Sequence, residues 1–113
     1  MLSTGTRVLV CTEPQDMRRS FDRLAAVARD ELGEEPQSGA YFVFVGKSST
    51  RVKVLWWDRN GYCLLYKRLH RALFRIPRDG ARVGKTLQID AAALAVLLAG
   101  VQNEKREIAR RVN

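Results

Sequence analysis

Basic side chains are concentrated in one stretch of this sequence, from Lys47 to Lys85. The stretch contains eleven basic and two acidic residues, a net charge of +9, whereas the other residues include nine basic and ten acidic ones, a net charge of −1. Clustered lysine and arginine side chains neutralise phosphate groups, so the pattern predicts a nucleic acid as partner. The alternatives are an anionic membrane surface, an acidic protein, or a soluble protein whose basic charge has no partner. The residues predicted to bind nucleic acid are Lys47, Lys53, Arg59, Lys67, Arg68, Arg71, Arg75 and Arg78.

Aromatic residues lie in the same stretch, within a predicted β-hairpin. Arg51–Asp58 and Tyr62–Leu69 are predicted strands, and the Asn60-Gly61 pair between them favours a tight turn because both residues tolerate a positive φ. With these two residues as the turn, Arg59 would face Tyr62. Alternation of side chains then defines one face of the hairpin. That face contains Lys53, Leu55, Trp57, Arg59, Tyr62, Leu64, Tyr66 and Arg68.

The two faces of this hairpin predict different roles. The opposite face contains Val52, Val54, Trp56, Cys63 and Leu65. It is apolar, and we expect Val54 and Trp56 to lie in the core. The first face mixes cations with flat aromatic rings, a composition typical of surfaces on which bases stack. Trp57, Tyr62 and Tyr66 would equally fit under a packed helix, and a bulge at Gly61 would shift the pairing, so both interpretations stay open at this point.

Residues that would make this chain an enzyme are scarce. His70 is the only histidine and has no neighbouring cluster of ligands, whereas a zinc site needs four. The segment Gly80–Lys85 has the wrong spacing for a phosphate-binding loop, and the two cysteines are expected to be small buried hydrophobes. The sequence therefore predicts a protein without catalytic residues, metal or cofactor. A metal-dependent nuclease built on Asp58 and Asp79 is the alternative, since metal-dependent cleavage needs converging acids.

Two helices and several strands are predicted around the hairpin. One helix spans Met17–Leu32, with Asp16 as its N-cap and Gly33 after its end. The second is capped by Asp90 and continues through Ala99. The further strands are Arg7–Cys11, Ala40–Val45, Ala72–Ile76 and Thr86–Ile89, and Arg78–Lys85 is predicted to be a loop. These elements predict an α+β fold, a small, mainly antiparallel sheet with both helices packed on it.

The chain is expected to form a single domain over residues 1–100. Residues 101–113 form a charged, helix-prone tail that would extend the last helix, form a separate one or stay mobile. Met1–Val10 lacks the features of a signal peptide, and the longest apolar stretch, Ala91–Ala99, is far shorter than a membrane span. We therefore expect a soluble cytoplasmic protein.

Four motifs resemble one protein family. They are Asp16–Leu24 (DMRRSFDRL), Phe42–Lys47 (FVFVGK), Lys53–Gly61 (KVLWWDRNG) and Lys67–Leu69 (KRL). In order and spacing they are similar to the small accessory protein, often labelled TnpB, of insertion sequences of the IS-sixty-six class. The resemblance covers about Val8 to Gly100, and the double tryptophan followed by Asp and a turn glycine is its most specific feature. Two departures are Phe74–Pro77 (FRIP), where the family commonly has Phe-x-Trp-Pro, and the 13 residues that follow Gly100.

The resemblance implies a protein that is encoded beside a separate DDE-type transposase and is needed for efficient transposition. It implies no relation to the RNA-guided nuclease that shares the label, and it supplies no catalytic residue. Together with the charge, it predicts a non-catalytic accessory protein that contacts DNA with weak sequence preference and assists the transposase. The alternative is a protein–protein adaptor for the transposase that never touches DNA.

Overall fold

The computed structural model describes residues 5–102. Its elements in chain order are β1 (Val8–Cys11), α1 (Phe21–Asp30), β2 (Tyr41–Val45), β3 (Arg51–Asp58), β4 (Gly61–Arg68), β5 (Ala72–Leu73), β6 (Ala81–Val83), β7 (Thr86–Ile89), α2 (Ala91–Ala99) and β8 (Val101–Gln102). Six strands form one sheet in the order β4-β3-β2-β1-β7-β6, and β5 and β8 pair separately. Within this sheet β1 and β2 are parallel and the other neighbours are antiparallel. The predicted α+β class with a mainly antiparallel sheet is confirmed.

The central strands β1 and β2 are buried on both faces, which explains why they are continuous apolar runs rather than alternating ones. On one face α1 packs over the sheet, with Leu24 and Ala28 of the helix against Phe42 and Leu55. The other face is covered by α2 and the chain after β4, whose buried members include Phe74, Leu94 and Leu97. The sheet therefore lies between two cores, one on each side.

Helix α1 is shorter than predicted, because it begins at Phe21 rather than at Met17. The chain is still extended at Gln15, where the backbone N–H donates to the carbonyl of Val45 at 2.9 Å. Asp16 does not cap the helix, since its carboxylate accepts the backbone N–H and the guanidinium of Arg18. At the other end Gly33 adopts a φ of +68°, in agreement with its predicted role after the helix.

Helix α2 has the predicted bounds and the predicted cap. The side chain of Asp90 accepts the backbone N–H of Ala93 at 2.7 Å, which satisfies one of the free donors of the first turn. Gly100 ends the helix with a φ of +79°. A Cβ at Gly100 would lie 2.5 Å from Leu69 Cδ1, so the end of α2 packs closely on the chain that follows β4.

The β3–β4 hairpin has a different turn from the predicted one. Asp58 pairs with Gly61 and Trp57 with Tyr62, so Arg59 and Asn60 form the turn and Arg59 has a φ of +60°. The pairing is displaced by two residues from the prediction. Because side chains alternate with a period of two, this displacement leaves the composition of both hairpin faces unchanged.

Three other boundaries are corrected. The strand predicted at Ala72–Ile76 is limited to β5, and residues 81–83 of the predicted loop form β6 at the sheet edge, paired with β7. The predicted tail starts at residue 101, but Val101 and Gln102 form β8 against β5. The remainder of that predicted tail, residues 103–113, lies outside the described residues.

The difference in burial between core and edge strand predicts unequal effects of side-chain truncation on stability. Phe42 is 0% exposed in the α1-side core, so Phe42→Ala should lower the free energy of unfolding by about 3–5 kcal/mol, since it removes apolar contacts and leaves a cavity. Val83 on the edge strand is 79% exposed, so the control Val83→Ala should change the same quantity by less than about 0.5 kcal/mol. Urea unfolding measures both, and equal losses would contradict this placement of the core.

Candidate nucleic-acid interface

Basic residues from two separate segments of the chain, 47–51 and 68–75, lie at one end of the six-stranded sheet. The pairing of the strands places the carboxyl ends of β1 and β2, the start of β3 and the end of β4 at this end. We call the following residues the basic end: Lys47, Arg51, Arg68, Arg71 and Arg75. All five are exposed to solvent.

Backbone hydrogen bonds hold these segments together. The N–H of Leu69 donates to the carbonyl of Thr50 at 2.8 Å, and the N–H of Phe74 donates to the carbonyl of Ser49 at 2.7 Å. The connection between β2 and β3 is therefore tied to the chain that follows β4. Arg75 lines an open cavity of about 320 Å³ together with Gly46 and Ser49, which places it beside the same connection. Sequence positions as distant as 47 and 75 thus share one surface.

The electrostatics of the basic end favour an anionic partner. Arg51 and Arg68 are directly opposite each other on β3 and β4, and like charges in this position destabilise a sheet. Within residues 5–102 no carboxylate forms a salt bridge with any of the five cations. A phosphate group bound there would relieve the repulsion between the two arginines, because it offers charge-assisted hydrogen bonds to both.

One acidic residue that lies beside this surface, Asp16, already has a partner. Asp16 lies with Lys47 and Arg51 in the lining of an open groove of about 490 Å³. The guanidinium of Arg18 donates to its carboxylate at 2.8 Å. This hydrogen bonding holds the pKa of Asp16 well below its usual range. Asp16 is therefore ionised but paired, and it leaves the five cations of the basic end without a salt-bridge partner among the described residues.

Lys53 is the clearest correction to the predicted set. Its side chain is buried, with 6% of the residue exposed, so it is not available to a phosphate. The Nζ atom donates to the carbonyl oxygen of Arg19 at 2.6 Å and lies 4.8 Å from the centre of the Tyr66 ring. A buried ammonium needs such partners to offset its loss of hydration. Lys53 therefore ties the start of α1 to the hairpin.

Three further predicted residues are not among the five that form the basic end. Lys67 is exposed, but its Nζ donates to the carbonyl of Leu98 at 2.7 Å, where it satisfies a free acceptor in the last turn of α2. Arg59 is in the hairpin turn at the opposite end of β3, about 25 Å away at the usual rise per strand residue. Arg78 lines a cavity beside α2 together with Arg75, Val96 and Gly100, so it borders the basic end on the α2 side.

Sequence reasoning missed one member of the basic end, Arg51. The predicted hairpin register set Lys53 opposite Arg68, whereas the structure sets Arg51 there and Tyr66 opposite Lys53. The sequence feature that could have identified Arg51 as a member is its positive charge at the start of the predicted strand. The predicted exposure of Arg68, Arg71 and Arg75 is confirmed.

The aromatic residues of the hairpin divide between core and surface. Trp56 is half-buried and stacks on Tyr41 with ring centres 4.9 Å apart, while Val54 is buried as predicted. Trp57 and Tyr62 are half-buried and meet edge to face at 5.0 Å. Tyr66 is 51% exposed. Of the three rings considered for base stacking, Tyr66 is therefore the most accessible.

Metal-binding clusters or reactive cysteines would be other sources of chemistry in the described part of the chain. Within residues 5–102 no three His, Cys, Asp or Glu residues are placed to hold a metal ion. Cys11 is buried, and this burial raises the pKa of its thiol, whereas Cys63 is half-buried. None of the helices described between residues 5 and 102 is long and apolar enough to cross a membrane.

The fold and this surface define a class, a small basic α+β domain with cations grouped at one end of its sheet. The family described as IS66 Orf2 like protein matches residues 6–107. The chain belongs to this family, as its four motifs predicted, and the family has an accessory role associated with transposition of insertion sequences.

Two relatives come from Sinorhizobium fredii (strain NBRC 101917 / NGR234). The first, titled Uncharacterized protein y4hO, is 39% identical over 103 residues, which cover 89% of this chain and 87% of the relative. The second, titled Uncharacterized protein y4jC, is 34% identical over 101 residues, which cover 88% of this chain and 82% of the relative. No solved structure matches the chain.

The different surroundings of two lysines predict different effects on stability. Lys53→Met keeps the length of the side chain but leaves the Arg19 carbonyl without its donor, so it should lower the free energy of unfolding by about 1–3 kcal/mol. Lys67→Met removes an exposed contact with the end of α2 and should cost less than about 1 kcal/mol. Urea unfolding of the two variants measures the difference, and a Lys53→Met protein as stable as the parent would show that Lys53 is not a structural residue.

Proposed function

We propose that this protein is a non-catalytic accessory protein for DNA transposition that binds DNA through the basic end and assists a separate transposase in the bacterial cytoplasm. The family supports the association with transposition. The observation that supports DNA contact is the grouping of five exposed cations, two of them directly opposed arginines, at one end of the sheet. DNA phosphates are the ligands that suit such a group.

Phosphate contacts from this surface predict weak sequence preference. The five cations lie on strand ends and connections, not along a helix that enters the major groove. Helix α2 has no charged residue, and α1 has two acidic and two basic residues, so neither helix has a net positive charge. Phosphate contacts position a protein on DNA without reading its sequence, so the transposase would supply the recognition of the element ends.

A salt titration tests the DNA contact. If all five cations neutralise phosphates, the plot of log affinity against log salt should have a slope of about −4.5, and Arg68→Gln/Arg71→Gln/Arg75→Gln should reduce it to about −1.8. The three side chains are exposed, so the melting temperature should stay nearly unchanged. Fluorescence anisotropy with a labelled duplex at several salt concentrations measures the slope.

A matched variant separates the position of the charges from their number. Arg29→Gln/Arg59→Gln/Arg82→Gln also removes three exposed positive charges, but from α1, the hairpin turn and β6. This variant should bind DNA nearly as well as the parent. Equal losses for the two triple variants would mean that net charge alone attracts DNA, and an absence of binding by the parent protein at low salt would end the DNA-binding proposal.

A second candidate function, an adaptor for the transposase without DNA contact, is favoured by helix α2. The nine residues of α2 are all Ala, Val or Leu, a composition expected of a helix buried on every side. Leu94 and Leu97 face the core, yet Val96 is 67% exposed. On the adaptor hypothesis Val96→Glu abolishes capture of the transposase in a pull-down, and the triple variant of the basic end does not. On the DNA hypothesis the triple variant lowers DNA binding, and Val96→Glu does not.

A further inference from the structure

Two large aromatic side chains on the α1 side of the sheet are exposed. Tyr66 on β4 is 51% exposed, and Phe21 at the start of α1 is 42% exposed. An exposed ring on a globular domain is unremarkable singly. These two lie on the same side of the sheet, because α1 packs over the hairpin face that includes Tyr66.

Lys53 joins Tyr66 to the segment that leads into α1. Its Nζ atom is 4.8 Å from the centre of the Tyr66 ring and 2.6 Å from the carbonyl oxygen of Arg19, two residues before Phe21. The cation over the ring restricts its orientation, so the ring is held in place while half of the residue stays accessible. A platform fixed in this way loses little conformational freedom when another planar group stacks on it.

Cations adjoin this platform on the same face of the hairpin. Side chains alternate along a strand, so Arg68 lies on the same face as Tyr66, about 7 Å further along β4, and Arg51 is directly opposite Arg68 on β3. An exposed ring beside two unneutralised arginines matches the composition of single-strand binding surfaces, where rings stack on bases and cations contact phosphates.

We propose that Tyr66 and its surroundings form a binding site for unpaired DNA bases, with Tyr66 as the stacking platform, Phe21 as a second one, and Arg68 and Arg51 as the phosphate contacts. The inference rests on the proposed DNA contact of the basic end and adds a preference for single-stranded or frayed DNA. In a duplex the faces of the bases are covered by their neighbours, so the ring has a partner only where pairing is interrupted.

Titrations with two DNA probes test the proposal on the full chain. The probes are a labelled single-stranded oligothymidine and a blunt duplex of equal total charge. Tyr66→Ala should weaken binding of the single strand by about 5- to 150-fold, the range for one stacked base, and leave binding of the duplex unchanged. Tyr66→Phe should keep the affinity for the single strand, whereas Tyr66→Leu, apolar but without a flat ring, should behave like Tyr66→Ala. Val83→Ala, at an exposed apolar residue on the edge strand, is the control and should change neither affinity.

A second readout does not depend on any variant. The parent protein should bind an oligonucleotide of abasic sites more weakly than oligothymidine of the same length, because the phosphates are kept and the bases are missing. Equal affinity for the abasic strand would overturn the proposal, and so would Tyr66→Ala weakening both probes equally or neither. In each of these results the parent protein still binds the duplex, so the proposed function survives. A parent protein that binds neither probe ends both proposals.

Discussion

Two backbone hydrogen bonds, from the N–H of Leu69 to the carbonyl of Thr50 and from the N–H of Phe74 to the carbonyl of Ser49, hold the two basic segments of this protein together. They join the connection between β2 and β3 to the chain after β4, so arginines and a lysine that are distant in sequence occupy one surface. Ser49 adopts a left-handed φ of +62° in this connection. Such a conformation is unfavourable for a residue with a side chain, and the hydrogen bond accepted by its carbonyl offsets that cost. These bonds hold the segment that contains Arg71 and Arg75 beside the connection that contains Lys47, while strand pairing holds Arg51 opposite Arg68.

The rest of the molecule supplies a rigid base and removes competing charge. Strand β2 is buried on both faces, and Gly46 at its end leaves room for Met17, since a Cβ there would lie 2.7 Å from Met17 Cγ. Acidic residues form salt bridges elsewhere: Glu34 with Arg7, Asp30 with Arg29, and Glu13 and Glu31 with Lys85. The five cations of the basic end are therefore left without a salt-bridge partner among residues 5–102.

Local chemistry made much of this fold predictable from sequence. The bounds of β3, the cap of α2 by Asp90 and the two hairpin faces follow from side-chain alternation and from capping within a few positions, although the hairpin turn itself differs from the predicted one. Contacts between distant residues were not predictable. Lys53 is buried because its acceptor is the carbonyl of Arg19, 34 positions away, and no periodicity shows that α1 covers this hairpin face. Strand β6 has three exposed residues and no apolar pattern, so only its pairing with β7 identifies it.

The central claim is that DNA meets this protein at one end of its sheet, and chemical-shift mapping by NMR tests it most directly. A ¹⁵N-labelled full chain is titrated with a short duplex at low salt. The account predicts that the largest amide shifts lie in residues 47–51 and 68–75, with little change at the Arg59-Asn60 turn at the other end of the hairpin. Shifts that are largest at that turn or on α2, or no shifts at all, would contradict it.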